Sequence, residues 1–431
     1  MKISDRHIVF QSFSSIGPML DFIALLPIMA LFAGSELPEA TIMAFLISLV
    51  ALAPVIGFSS SRLTNGGYAD YVETGLGKFA GGFAGMVYIF YSILVLPNII
   101  MFLASFLFSF YSIPAEFRIL FDAVFTVSYL LLMFIPLSRG LSLTIKPIIA
   151  LGVLEIGSML LTCALLLSYS SANGLPVSTG TNFSGGSFWE GVMIGILMFS
   201  GGGSGIFLSG ESLERRASTP RSLFYAYITS GAALILASFS IAWFTGSQIG
   251  VYAGNPAFLL SRIGSIWSPV LVTVMIILLL SSGFNLTLSF GNALLQMMGT
   301  FLPEHLGMKK SRLTLSMIIV SVPIPILLVS RIYFSFFTSF LFIAEMVSML
   351  YVVVHVLVGF SYARKGKNPL YRIVGAISSV LLVIAISISI MSSGIPELYL
   401  GIIFAAILLI AFLNQFLVQI SWYQSRKIIS S

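Results

Sequence analysis

Six residues constrain this chain more than any others: Ser200-Gly201-Gly202-Gly203-Ser204-Gly205. They lie inside an apolar run from Phe188 to Ser209 that is long enough to cross a bilayer as a helix, at ~1.5 Å per residue. Glycine in a helix interior costs up to about 1 kcal/mol relative to alanine. Four glycines in six positions therefore argue against a continuous α-helix here. Backbone opened at membrane depth cannot face lipid, because its N–H and C=O groups would lack partners. It must line a cavity or be buried in protein. A helix broken at mid-membrane offers N–H groups from one half and carbonyls from the other to a small polar or charged ligand. The other reading of the same residues is that small side chains let a neighbouring helix pack closely.

The rest of the chain is that of a polytopic membrane protein. Only 8% of its 431 residues are charged and 58% are hydrophobic, where soluble domains carry about 25% charged residues. No polar stretch is long enough to form a separate soluble domain. Apolar runs at about 8–33, 40–61, 82–110, 117–137, 142–169, 188–209, 222–245, 266–300, 313–331, 333–361, 371–392 and 397–421 predict an all-α chain with twelve transmembrane helices. The junction at Arg331-Ile332, where two runs almost touch, is the tightest. With the N-terminus cytoplasmic, this partition leaves Arg118, Arg262 and Arg331 on the outer side and the remaining Lys and Arg, out of 21, on the inner side. Both termini are thus expected in the cytoplasm, with the chain multi-pass in the cell membrane and lipid around it. The net charge of +6 follows from this topology and does not call for a nucleic-acid partner. Met1 to His7 precede an apolar stretch too long for a signal-peptide core, which also holds Pro18, Asp21 and Pro27, so it reads as a retained first helix. Cys163 is the single cysteine and admits no intrachain disulfide. The outer loops Ser170–Ser187 and Gly246–Ser265 are rich in Gly, Ser and Asn and have room for short surface helices.

The first span carries a second interruption, Ser14-Ser15-Ile16-Gly17-Pro18. Proline removes a backbone donor and clashes with the preceding turn. Spans one and six are then both interrupted and run in opposite directions. Paired interruptions in corresponding halves point to a transporter binding site, although a proline kink alone is common in membrane helices. Ser14, Ser15, Ile16 and Gly17 join the glycine run as candidate substrate-binding residues.

These features, with three further motifs, resemble the amino acid–polyamine–organocation superfamily of secondary transporters. One is Asn65-Gly66-Gly67-Tyr68-Ala69-Asp70-Tyr71-Val72 followed by Gly75, Gly77, Gly82 and Gly85, similar to the family's loop after span two. Another is Ser209-Gly210-Glu211 with Pro220-Arg221, and the last is Leu302-Pro303. The chain departs from the family in its Ser-Ser-Ile-Gly-Pro break, in Arg215-Arg216, and in Gly291-Asn292 where an arginine is common. The resemblance implies two inverted repeats of five helices, spans one to five over about 8–169 and six to ten over about 188–361. They would form a transport core over residues 1–361, with two peripheral helices and a cytoplasmic tail over 362–431. It also implies an amino-acid permease, with substrate at mid-membrane between spans one, three, six, eight and ten.

Ionisable residues inside spans are expensive and mark pathways or relays. Asp21 follows the first break and Glu155 lies mid-way along span five; both are candidate coupling groups. Some proton-coupled relatives place an ionisable span-five side chain beside the position where sodium-coupled relatives bind a cation. Low dielectric favours a carboxyl's neutral form, so Glu155 is expected to carry a coupling proton, or else to bond a neighbouring helix permanently. Asp21 has a capping role as its alternative. Glu345, His355, Tyr88, Tyr91 and Asn285 are further polar or aromatic residues within spans.

The leading expectation is a secondary transporter for an amino acid or related small amine, coupled to a proton or other ion or working as an exchanger. The substrate carboxylate would meet N–H groups near Ser14–Gly17 and its ammonium carbonyls near Ser200–Gly205. A sensor on the same scaffold, binding without transport, is a second class. An intramembrane serine protease is a third, because Gly202-Gly203-Ser204-Gly205 fits Gly-x-Ser-Gly, but it needs a base and the only histidine within a span is His355. No enzymatic activity, cofactor or metal centre is expected: there is no nucleotide-binding motif, and His7, His305, His355 and Cys163 are far apart in sequence.

Overall fold

The fold was obtained as a computed structural model and is described for residues 4–61, 63–175, 186–211, 218–306, 311–366, 368–392 and 395–429. Arg62, Arg215, Arg216, Lys309, Lys310, Lys367 and most of the 170–187 loop lie outside the described residues. Helices follow one another throughout, and no strand occurs among the described residues. In chain order they are α1 (Asp5–Ile16), α2 (Pro18–Ala33), α3 (Leu37–Ser59), α4 (Tyr68–Leu76), α5 (Lys78–Phe110), α6 (Arg118–Arg139), α7 (Leu141–Ala172) and α8 (Gly186–Phe199). A 3-10 helix over Ser200–Glu211 comes next, then α9 (Ser218–Thr245), α10 (Ile249–Tyr252), α11 (Pro256–Ile266), α12 (Pro269–Leu306), α13 (Arg312–Ser321), α14 (Pro323–Tyr333), α15 (Phe336–Lys365), α16 (Pro369–Ser392) and α17 (Ile395–Ile429).

Among the described residues, eleven stretches are long and apolar enough to cross a membrane. The first of them, Asp5–Ser59, is 55 residues long. A single crossing needs about 20, and the chain turns inside this stretch at the 3-10 residues Gly34–Glu36. At the tight junction near Arg331, Phe334 is extended (φ −137°, ψ 177°) and Ser335 caps α15, its side chain accepting from Thr338 N at 3.0 Å. That one break suffices to separate the two spans. The loop after α9 carries short helices, α10 and α11, as its composition suggested.

Burial divides the helices. The most apolar window within Ser187–Gly210 is wholly buried, whereas that of Gly401–Gln419 is only 11% buried. Helix α5 packs on α4, α12, α15 and α17. Exposed Ile119, Leu120, Leu131 and Leu132 on α6, and Leu328 and Ile332 on α14, form an apolar outer surface, which is where lipid tails would lie. At the end of the bundle where α2 terminates, Arg331 lies 3.2 Å from the carboxylate of buried Asp122, and Arg118 lies 3.8 Å from it. Removing either arginine leaves a buried carboxylate with one partner fewer.

Candidate functional site

The first interruption is a true break. Gly17 ends α1 with φ 66° and ψ 54°, a left-handed conformation that glycine adopts without a Cβ penalty, and Pro18 starts α2 at a position where its missing N–H costs nothing. The freed donors of α2 all have partners. Pro18 has none to give. Met19 N donates to Glu155 Oε1 at 2.9 Å, Leu20 N to Ser282 Oγ at 3.0 Å, and Asp21 N to the Gly17 carbonyl at 3.0 Å. Ser282 Oγ also donates to Glu155 Oε1. Glu155 of α7 therefore caps a helix N-terminus, where a carboxylate is favoured, and joins α2 to α7 and α12. Its Oε2 has no hydrogen-bond partner.

The second interruption takes a different form. The α-helix stops at Phe199, and the glycine run continues as a twelve-residue 3-10 helix, far beyond the three or four residues usual for that winding. Each glycine of the run meets a neighbour. A β-carbon on Gly201 would strike the Ser15 carbonyl, on Gly202 the Tyr227 ring, on Gly203 the Tyr68 hydroxyl, and on Gly205 the Ser12 hydroxyl. Ser204 Oγ lies 2.6 Å from Ser15 Oγ and donates to the Gln11 carbonyl at 3.2 Å, and Gly205 N donates to Ser12 Oγ at 3.1 Å. Close packing, the second reading of these residues, thus accounts for all four glycines of the run.

A cavity lies where the two interruptions meet. Ser15 and Ile16 of α1, Leu20, Asp21, Ala24 and Leu25 of α2, and Leu197 and Ser200 around the second break form one side. Val95, Asn98, Ile99 and Phe102 of α5, Leu286 and Phe290 of α12, and Phe340 and Val347 of α15 complete it. Of the candidate residues, then, Ser15, Ile16, Ser200 and Asp21 line the cavity. Gly17 sits beside it with Leu286 packed against its α-carbon, and Gly201, Gly202, Gly203, Ser204 and Gly205 are placed by their packing contacts. Ser14 turns toward α7 and α12, where Asn285 Nδ2 donates to its hydroxyl at 2.7 Å.

The hydroxyls at the cavity are already engaged: Tyr91 donates to Ser200 Oγ at 2.9 Å, and Ser15 Oγ donates to the Gln11 carbonyl at 2.9 Å. Two oxygens are not. Asp21 Oδ2 and Asn98 Oδ1 are buried and have no hydrogen-bond partner, on side chains only 3% and 7% exposed. Asn98, on the cavity wall, and Ser282, bonded to Leu20 N and Glu155, are residues of the candidate site that the sequence reading missed. The signal for Asn98 was its place after Pro97, an amide and a proline together in an otherwise apolar span.

The two ends of the cavity are closed unequally. Toward the end of the bundle where α1 begins, Tyr68, Tyr88, Tyr91, Phe207, Tyr351 and His355 form a stack of buried rings, with centroids 5.0 Å apart for Tyr68–Tyr88, 4.9 Å for Tyr88–Phe207 and 3.9 Å for Tyr351–His355. Below it, the loop before α4 is clamped to the end of the 3-10 helix, Thr64 N donating to Ser209 Oγ at 3.0 Å and Ser209 Oγ to the Thr64 carbonyl at 2.8 Å. Toward the other end, Phe102 borders both the cavity and a second hollow that reaches Ser105, Arg118, Asn255 and Phe337. Phe102 and Phe340 stand 5.1 Å apart at that end. His355 Nδ1 is bonded to the Tyr351 carbonyl at 3.1 Å. Neither His355 nor Ser204 makes its hydrogen bonds to the other, so the pairing a serine nucleophile requires is not made.

Neither a protein-family model nor a curated protein matches the sequence. Solved structures do. Two mutant forms of a manganese transporter from Eremococcus coleocola, one with a histidine and one with a glutamate replaced by alanine, superpose with a TM-score of 0.58 at 14% identity, covering 96% of this chain and 94% of theirs. The same transporter in complex with an aromatic bis-isothiourea substituted compound gives a TM-score of 0.53 over the same shares. The chain has the fold of a membrane transporter. At this identity the likeness carries the fold alone, and the amino-acid permease resemblance rests on the motifs.

Proposed function

We propose that this chain is a secondary active transporter that moves an amino acid or related small amine across the cytoplasmic membrane. In this reading the 55-residue first stretch contributes two crossings, giving twelve. Residues 1–361 form a core of two inverted five-helix repeats, and 362–431 supply two peripheral helices, in keeping with the low burial of the last one. The observation that carries the reading is the cavity where the two interruptions meet, bearing the buried, unpartnered carboxylate oxygen of Asp21. A cavity closed by a thick ring stack at one end and by Phe102 and Phe340 at the other is suited to alternating access, with the Phe102 end the nearer to opening. Substrate at Asp21 and a proton at Glu155 act on the same first turn of α2, the physical basis for coupling them.

The neighbouring structures are of a manganese transporter. The described residues here include no group of three His, Cys, Asp or Glu placed to hold a metal ion, and a divalent cation needs several oxygen or nitrogen ligands. An organic solute suits one carboxylate, one amide and apolar walls better. Uptake into proteoliposomes tests the proposal: a solute that binds the purified chain should accumulate inside under an imposed ion gradient. Binding with no flux in either direction would favour a sensor instead.

Orientation has its own test. Asn173 and Asn368 are exposed at opposite ends of the bundle, and Cys163 is buried. With Cys163 replaced by serine, Asn173→Cys should react with an impermeant maleimide on intact cells, and Asn368→Cys only after permeabilisation. Reaction of both from the same side would overturn the topology.

A further inference from the structure

We infer that the central cavity recognises a protonated primary or secondary amine with an apolar body and no carboxylate of its own. The inference rests on the cavity being the transport site and narrows its substrate class. A zwitterion needs a seat for each charge. The expected seat for its carboxylate was the set of N–H groups freed by the first break, and these are taken: Met19 N by Glu155, Leu20 N by Ser282 and Asp21 N by the Gly17 carbonyl. Pro18 contributes none. No basic side chain lines the cavity among the described residues. A carboxylate placed there would lose its hydration and meet Asp21 instead of a cation, a strongly unfavourable arrangement.

What the cavity offers is acceptors. Asp21 Oδ2 and Asn98 Oδ1 are both buried and unpartnered. Unpartnered buried acceptors are costly, and a donor from a ligand removes that cost. Ser15 and Ile16, also on the cavity wall, are the last residues of α1, and the C-terminal end of a helix carries the negative pole of its dipole. All three features favour a cation that donates hydrogen bonds. The remaining wall, including Ile99, Phe102, Leu197, Phe290, Phe340 and Val347, is apolar and suits a hydrocarbon or aromatic body. Phenylalanine faces also attract cations. A quaternary ammonium would satisfy the charge but leave both oxygens without a donor.

The test compares matched pairs on the wild-type full-length chain in lipid nanodiscs by isothermal titration calorimetry: phenethylamine against phenylalanine, and isoamylamine against leucine, with Mn²⁺ alone as a further arm. The amines should bind and each amino acid should bind at least tenfold more weakly than its amine. Asp21→Asn should weaken the amines by roughly 10- to 100-fold, as loss of a charge-assisted hydrogen bond does, and Asn98→Ala by roughly fivefold. Because the pairs are compared on the unaltered protein, the result stands whether or not Asp21→Asn folds. Amino acids binding as well as their amines would overturn the inference and leave the transport reading intact. Mn²⁺ binding with the amines silent would overturn it in favour of a metal substrate. If no solute of the panel binds, the inference and the assignment of this cavity as the transport site fall together.

Discussion

A Glu155→Gln protein should lose proton-driven accumulation of substrate while keeping exchange and downhill flux. With one proton per substrate, a pH gradient of one unit at zero membrane potential sustains about tenfold accumulation; the variant should level off near equal concentrations. The geometry makes the substitution clean. A glutamine Oε1 can still accept from Met19 N and Ser282 Oγ, as the glutamate does, so the turn where α2 begins keeps its cap while the exchangeable proton is lost. The structural alternative, in which Glu155 only ties α2 to α7 and α12, predicts a variant that accumulates substrate like the wild type. Flux measured in proteoliposomes with an imposed pH gradient separates the two.

Gly201→Ala should destabilise the protein by about 3 kcal/mol, the upper part of the range for overpacking. The added carbon falls on the Ser15 carbonyl. A side chain can rotate out of the way, but a main-chain carbonyl cannot, so α1 and the 3-10 helix must move apart. Separation would also stretch the 2.6 Å Ser15–Ser204 contact and the 3.1 Å bond from Gly205 N to Ser12. Gly157→Ala is the control. That glycine is helical, exposed and free of neighbours within 4 Å of a built β-carbon, so alanine should be neutral or stabilising by up to about 1 kcal/mol. Thermal unfolding of both variants in one detergent makes the comparison; equal melting of Gly201→Ala and wild type would show that the approach at Ser15 is looser than the geometry implies.

The all-α membrane architecture and the two interruptions were legible in the sequence, because each follows from local chemistry: apolar runs of spanning length, a Gly-Pro step in one span and a glycine run in another. The partners of those residues were not. Helices that are apolar all round carry no amphipathic stripe to say which face meets which neighbour. The meeting of Glu155 with Met19 N depends on the register of α7 against α2, which no periodicity encodes. Nor could the sequence show that the donors freed at Pro18 were already capped, and on that point the expected seat for a substrate carboxylate differs from what the structure displays. Asn98 was hidden for a related reason: a single amide in a long apolar run looks incidental until its oxygen is found buried, without a donor, at the cavity that Asp21 also lines.

The 3-10 winding of Ser200–Glu211 also sets a length. At ~2.0 Å per residue instead of ~1.5 Å, its twelve residues extend about 24 Å where an α-helix would extend about 18 Å. The difference, about 6 Å, is close to one full α-helical turn. It brings Ser209 level with Thr64, and Gly210 level with Asn65, in the loop before α4. Wound as an α-helix from the same starting point, these residues would stop about a turn short of the loop they hold, and that end of the bundle would have no latch.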